Sequence, residues 1–269
     1  MASLIKKLAG QTAIYGLSSI IGRLLNYLLV PIYTRIFAPE EYGVVTELYA
    51  YVTFLLIILT YGMETGFFRF SQDKERFNKV YSTSLTSLFA TSVVFVILIN
   101  LFTQPIANWM EYGAHPEYIR WFGFILAIDA FSAIPFAKLR QQGKAWKFAT
   151  IKLINIVTNI GFNLFFLLLC PKLMQSHPDS VLLNIFNPDI GVGYVFVSNL
   201  IASSLTLLLL LPDILNVKYS FRKKILREIL WYSFPLLIGG LAGMMNETID
   251  RILLRHLLPE NVNALHQIG

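Results

Sequence analysis

The chain is 269 residues long, 55% hydrophobic and only 14% charged, with a net charge of +6. Soluble domains carry roughly 25% charge, so this composition excludes an ordinary soluble fold and points to a polytopic membrane protein. A single cysteine, Cys170, excludes an intramolecular disulfide framework and a cysteine-based metal site, and no cofactor is expected.

The first apolar segment, residues 12–37, reads as one helix closed by a tight turn at 38–43. At ~1.5 Å per residue it crosses a ~30 Å hydrocarbon core with some tilt. The basic start, MASLIKKLAG, precedes an apolar run too long for a signal peptide, so the segment is read as a retained helix. Thr12, Gly16, Ser19, Arg23 and Asn26 step by four, three, four and three, which places them on one face. Such a stripe must turn toward protein or water. A second span covers 43–62, interrupted only by Glu47, and leads into a charged joint at 63–79. The third span, 80–102, has no charge but carries Ser82, Thr83, Ser87 and Thr91. The fourth, 118–137, holds Asp129 near its middle and is followed by the basic stretch KLRQQGKAWK at 138–147. The fifth, 148–170, aligns Lys152, Asn155, Asn159 and Asn163 on one face. A polar loop at 171–189 leads to a charge-free sixth span, 191–211. A basic connection at 213–228 precedes the seventh span, 229–254.

Of the 22 Lys and Arg residues, sixteen fall on the side of the N-terminus and five on the opposite side, with Arg23 between them. The positive-inside rule therefore puts the N-terminus in the cytoplasm and the 171–189 loop outside. Shifting the sequence by 220 residues lays the seventh span on the first: Asn26 meets Asn246, Arg35 meets Arg255, Pro39 meets Pro259 and Glu40 meets Glu260. Gly239, Gly243, Asn246 and Asp250 repeat the small-polar stripe. Helix ends in general favour such residues. Read as a repeat, the match gives two lobes related by a pseudo-twofold along the membrane normal. The expected architecture is all-α. A six-helix transmembrane lobe occupies 1–228, and 229–269 supply the first helix and turn of an incomplete second lobe, as in a piece of a longer protein.

Arg23 costs ~2.5–3.5 kcal/mol at a helix centre, which the surrounding Leu, Ile and Val residues offset. It either faces a cavity and binds an anionic group or forms an ion pair with Asp129 or Glu64. Lys152 reads as a lysine snorkelling to the headgroups or as part of a substrate site. Asn155, Asn159 and Asn163 suit interhelical hydrogen bonds or a wet, sugar-binding wall. Asp129 is a coupling-ion site or the partner of Arg23. Gly239 and Gly243 suggest close helix packing. No P-loop, zinc-protease motif or embedded histidine beside a serine or acid occurs, and the basic loops lack the spaced aromatics of a nucleic-acid surface. A glycan polymerase or ligase would need a larger outer loop than the 19 residues of 171–189.

The turn RIFAPEEYG at 35–43, the joint GMETGFFR at 62–69, LRQQG at 139–143 with Trp146 and Lys147, and Pro235 with Asp250 and Arg251 resemble bacterial O-antigen-type polysaccharide flippases. These belong to the multidrug/oligosaccharidyl-lipid/polysaccharide exporter superfamily. The resemblance implies a two-lobed transporter moving polyprenyl-diphosphate-linked oligosaccharide across the bacterial inner membrane by alternating access, without enzymatic chemistry. It implies a basic cavity that includes Arg23. Val262 and Asn263 depart from the first lobe's Tyr42 and Gly43. Expected substrate contacts are Arg23, Asn26, Lys152, Asn155, Asn159, Asn246, Asp250 and Arg251, with Asp129 and Glu64 in ion coupling or ion pairing. The expected partners are the lipid-linked oligosaccharide, membrane lipids and glycan-assembly proteins of the same pathway. The alternatives are a cation-coupled multidrug exporter of the same superfamily and a fragment that inserts but transports nothing.

Overall fold

The computed structural model describes residues 10, 14–18, 20, 21, 24, 25, 27–177 and 185–257, the side chains of 246–252 and 254–257 excepted. Among these residues there is no strand, and six helices are long and apolar enough to cross a membrane. The first span is described mainly at its far end, where α1 (Val30–Ile36) begins with Pro31 in its first turn. A proline is tolerated there because its missing N–H would be unpaired in any case.

The second span is one apolar column in two pieces, α2 (Pro39–Thr60) and α3 (Met63–Phe70). Pro39 opens α2, and the Glu41 carboxylate accepts the Ala38 N–H at 3.0 Å. Glu40 and Glu41 also lie where the helix dipole favours negative charge. The break between the pieces falls at Tyr61 and Gly62, both left-handed at φ 37° and 68°. The charged joint expected at 63–79 is therefore mostly helix. Only 71–73 leave it before Asp73 caps α4 (Lys74–Leu101) by accepting the Glu75 N–H. A short α5 (Thr103–Trp109) follows, and Glu111, left-handed at φ 63°, turns the chain into α6 (Pro116–Gln141).

α6 is the central post. Its apolar stretch is 72% buried, against 17–44% for the other spans, and it packs mainly on α4 and α9. The fifth span starts as α7 (Ala145–Leu164), passes through a π-helical turn at Phe165–Leu169 and continues as α8 (Cys170–Ser176). Pro171 cannot donate to the carbonyl four residues back, and the wider turn, with the Cys170 N–H on the Phe165 carbonyl, accommodates that gap. The loop expected to begin at Pro171 instead begins after α8. The sixth span is α9 (Gly193–Leu215) and the seventh is α10 (Lys223–Leu257). At 35 residues, or ~52 Å, α10 is longer than a bilayer core is thick.

Two aromatic-rich clusters hold the bundle. One, toward the far end, includes Tyr33, Phe122, Phe166, Tyr194 and Phe196. The other, at the end carrying the basic connections, includes Phe67, Tyr81, Phe148 and Ile229. Lipid competes for apolar surface as well as protein does, so polar ties matter here. At the basic end the Lys138 ammonium and the Tyr81 hydroxyl both donate to the Asp213 carbonyl, at 2.8 and 2.9 Å. Lys147 pairs with the Asp213 carboxylate. The Ser220 N–H donates to Ser82 at 2.7 Å, and the Arg222 N–H to Thr83 at 3.3 Å.

Candidate functional site: an aromatic and amide cavity

In the far half of the bundle, α1, α2, α7 and α9 enclose a cavity of about 310 Å³. Tyr42, Thr46 and Tyr49 lie four and three residues apart on α2, so one helical face delivers all three to the cavity. Tyr33 comes from α1, Asn155 and Asn159 from α7, and Asn199 from α9. Among the described lining residues none is charged.

The hydrogen bonds divide the asparagine stripe of α7 by depth. Asn163 is buried: its carbonyl accepts the Tyr33 hydroxyl at 2.8 Å, and its amide nitrogen donates to the Asn159 backbone at 2.8 Å and side chain at 3.1 Å. Asn155 donates to the Thr206 hydroxyl at 3.0 Å. Across the cavity the Asn199 amide donates to the Tyr49 hydroxyl at 2.9 Å, while Phe122 packs edge-on against the Tyr49 ring. Among the described residues these bonds leave the Asn155 and Asn199 carbonyls, the Asn159 N–H groups and the Tyr49 O–H for a ligand. The stripe thus makes interhelical hydrogen bonds through Asn163 and Asn155, and Asn155 and Asn159 also line the cavity.

The other expected residues do not converge on it. The Asp129 carboxylate accepts the Ser203 hydroxyl at 2.8 Å. The half-buried Lys152 sits with its ammonium 4.3 Å from the centre of the Phe136 ring. Asp129 and Lys152 lie within electrostatic reach of each other, yet no ion pair joins them. Glu64 pairs with Arg140, whose guanidinium lies over Phe68 and Phe148. Arg23 and Asn26 lie outside the described residues, as do the side chains of Asn246, Asp250 and Arg251 on α10. Gly239 and Gly243, expected at a close helix contact, face open space; Gly240 is the one directed at the lobe, with Ile57 nearest.

Sequence reasoning missed Tyr33, Tyr42, Thr46, Tyr49 and Asn199. A signal was present in the spacing of 42, 46 and 49, hidden by reading the second span as plain apolar helix. A larger groove of about 540 Å³ runs along α10 from Lys223 to Pro235, but it is lined by that helix alone and lacks converging polar groups.

The molecule is a bundle of membrane-length helices around a polar cavity with no charged residue among its described lining, and solved structures share this fold. The chain superposes on a MOP-superfamily transporter of Pyrococcus furiosus, described as having a binding pocket of reversed polarity, with a TM-score of 0.59 and 15% identity over 94% of this chain and 54% of that one. It also superposes on an outward-facing multidrug resistance transporter of the MATE family, with a TM-score of 0.60 and 17% identity over 91% of this chain and 55% of that one. The fold is that of the multidrug/oligosaccharidyl-lipid/polysaccharide exporter superfamily. The chain belongs to the polysaccharide biosynthesis protein family, whose model matches residues 8–267. A protein of the Lsg locus of Haemophilus influenzae is 22% identical over 267 residues, which cover 98% of this chain and 60% of that protein. The chain thus spans little more than half the length of the solved transporters and 60% of this relative.

Proposed function

We propose that the chain supplies the first lobe, residues 1–228, and the opening helix of the second, 229–269, of a transporter for polyprenyl-diphosphate-linked oligosaccharide. The basic end faces the cytoplasm of a bacterial cell, and the carrier lipid stays in the inner membrane while the glycan crosses. The observation that carries this reading is the uncharged wall of tyrosines and asparagines. Amides that both donate and accept match sugar hydroxyls, and flat rings offer a surface to the apolar faces of a pyranose. In this reading Arg23 and Asn26 of the first span, with Lys152, serve the diphosphate, and Asn246, Asp250 and Arg251 are the contacts supplied by the second lobe. Glycan-assembly proteins of the same pathway supply the substrate and take up the product.

The test is surface-polysaccharide export in cells that depend on the full-length gene. Asn155→Leu with Asn159→Leu removes two amides from the wall. At matched protein levels export falls by about thirtyfold, since two hydrogen bonds at roughly 1 kcal/mol each sum to ~2 kcal/mol. Unchanged export would contradict the assignment. Asp129 favours a second reading, a cation-coupled drug exporter, because this carboxylate in a membrane helix has no ion-pair partner among the described residues. That reading is upheld if Asp129→Asn abolishes ion-dependent drug efflux while export is unaffected.

A further inference from the structure

The seventh span meets the lobe unevenly along its length. At the basic end the contact is tight. Ile229 and Ser233 are fully buried, and they lie against the break in the second span. A Cβ on Gly66 would come within 2.5 Å of Ile229 and 2.6 Å of the Ser233 hydroxyl, and one on Gly62 within 3.0 Å of Ser233. Only glycine admits so close an approach, and Gly62 at φ 68° also needs it for the backbone. Tyr232 packs edge-on against Phe70, with ring centres 5.8 Å apart. Over this seat, Arg76 at the start of α4 pairs with Glu228 at 2.6 Å. Beyond Ser233 α10 continues beside α2 with its side chains open: from Leu236 to Met245 none is buried, and the nearest atom to a Cβ on Gly240 is on Ile57 at 3.9 Å.

Resting on the two-lobe reading above, we propose that this seat is the closure that seals the cytoplasmic side when the far side is open, with Arg76–Glu228 as its clasp. Three features fit a contact built to part. The Ser233 hydroxyl is buried in the seat without a hydrogen-bond partner, so the closed state is not fully satisfied. Tyr61 holds a left-handed backbone that a non-glycine residue adopts reluctantly, which places a hinge at the seat. The clasp is half-exposed, with side-chain accessibilities of 41% and 32%, so water can replace it at small cost. When the clasp opens, α10 rocks about the Tyr61–Gly62 break and its far end, beyond the stretch where no side chain is buried, draws toward the far end of α6.

The experiment is a distance measurement by pulsed electron resonance on the full-length protein in lipid nanodiscs, with no substrate. Spin labels are placed at Glu117 and Leu253, near the far ends of α6 and α10, in a Cys170→Ser background. Arg76→Glu and Glu228→Arg each raise the population with a short far-end distance by roughly two- to fivefold, the range open to a half-exposed pair. The double variant, with the charges exchanged, restores the original distribution. Distances that ignore both single changes, or that shift and are not restored by the exchange, would overturn the clasp. Should a charge reversal prevent purification, Arg76→Gln with Glu228→Gln removes the pair without repulsion and is held to the same shift. Because no glycan takes part, the clasp and the oligosaccharide reading fail or stand separately.

Discussion

Asn163 and Asn155 sit eight residues apart on the same helix face and do different work. Asn163 is enclosed, and every bond it makes closes on Tyr33 or Asn159. Asn155 has one side-chain bond among the described residues, to Thr206, and lines the cavity. Replacing Tyr33 with Phe keeps the ring and removes the hydroxyl, leaving the buried Asn163 carbonyl without its donor. The expected cost is about 1–2 kcal/mol, read as a fall of roughly 2–8 °C in Tm in detergent. A Tm unchanged within error would mean that the Tyr33–Asn163 bond contributes nothing to stability. The α7 stripe was legible because an amide in apolar sequence stands out. The tyrosines were not, because a tyrosine in a membrane helix serves equally as core, interface anchor or cavity wall. Which atoms remain free for a ligand depends on partners more than a hundred residues away, as Tyr33 and Asn199 show.

Among the elements, the six crossings among the described residues were each anticipated, but their ends were not. The fifth span passes through Pro171 because a π-helical turn absorbs the lost hydrogen bond. The second passes through its charges because Glu64 and Arg69 lie on a helix, with Glu64 already paired to Arg140. Periodicity reports which face of a helix is apolar; it does not report how charges near its end are satisfied. The glycines show the same limit. Gly239 and Gly243 share a face of the seventh span and met the usual signature of close packing, yet the tight approaches fall at Gly62 and Gly66. Gly66→Ala should therefore destabilise the protein by about 1–3 kcal/mol through overpacking against Ile229, whereas Gly239→Ala should leave stability unchanged or slightly raised. Equal denaturation midpoints for the two variants would refute the packing seen around α3.

Taken as a whole, the molecule places charge and hydrogen-bonding capacity in different regions. Basic residues gather at one end, where several are already engaged: Lys138 and Lys147 by Asp213, Arg76 by Glu228, and Arg140 by Glu64. The topological excess of Lys and Arg thus also builds the closed end of the bundle. The uncharged cavity lies in the other half, and α10, which also runs beside α2, buries its side chains against the rest of the bundle at the basic end. A glycan crossing between these regions would meet neutral hydrogen-bonding groups along the wall, while its diphosphate would need the cations of the first span. The most direct test of this account follows lipid-linked oligosaccharide across the inner membrane in cells lacking the gene and complemented with the full-length protein. Complementation should move the glycan to the outer leaflet, where an added periplasmic glycosidase can cleave it, and the Asn155→Leu, Asn159→Leu variant should slow this movement by about thirtyfold, leaving the glycan protected on the cytoplasmic face. Equal cleavage with and without the gene, or full cleavage with the variant, would contradict the account.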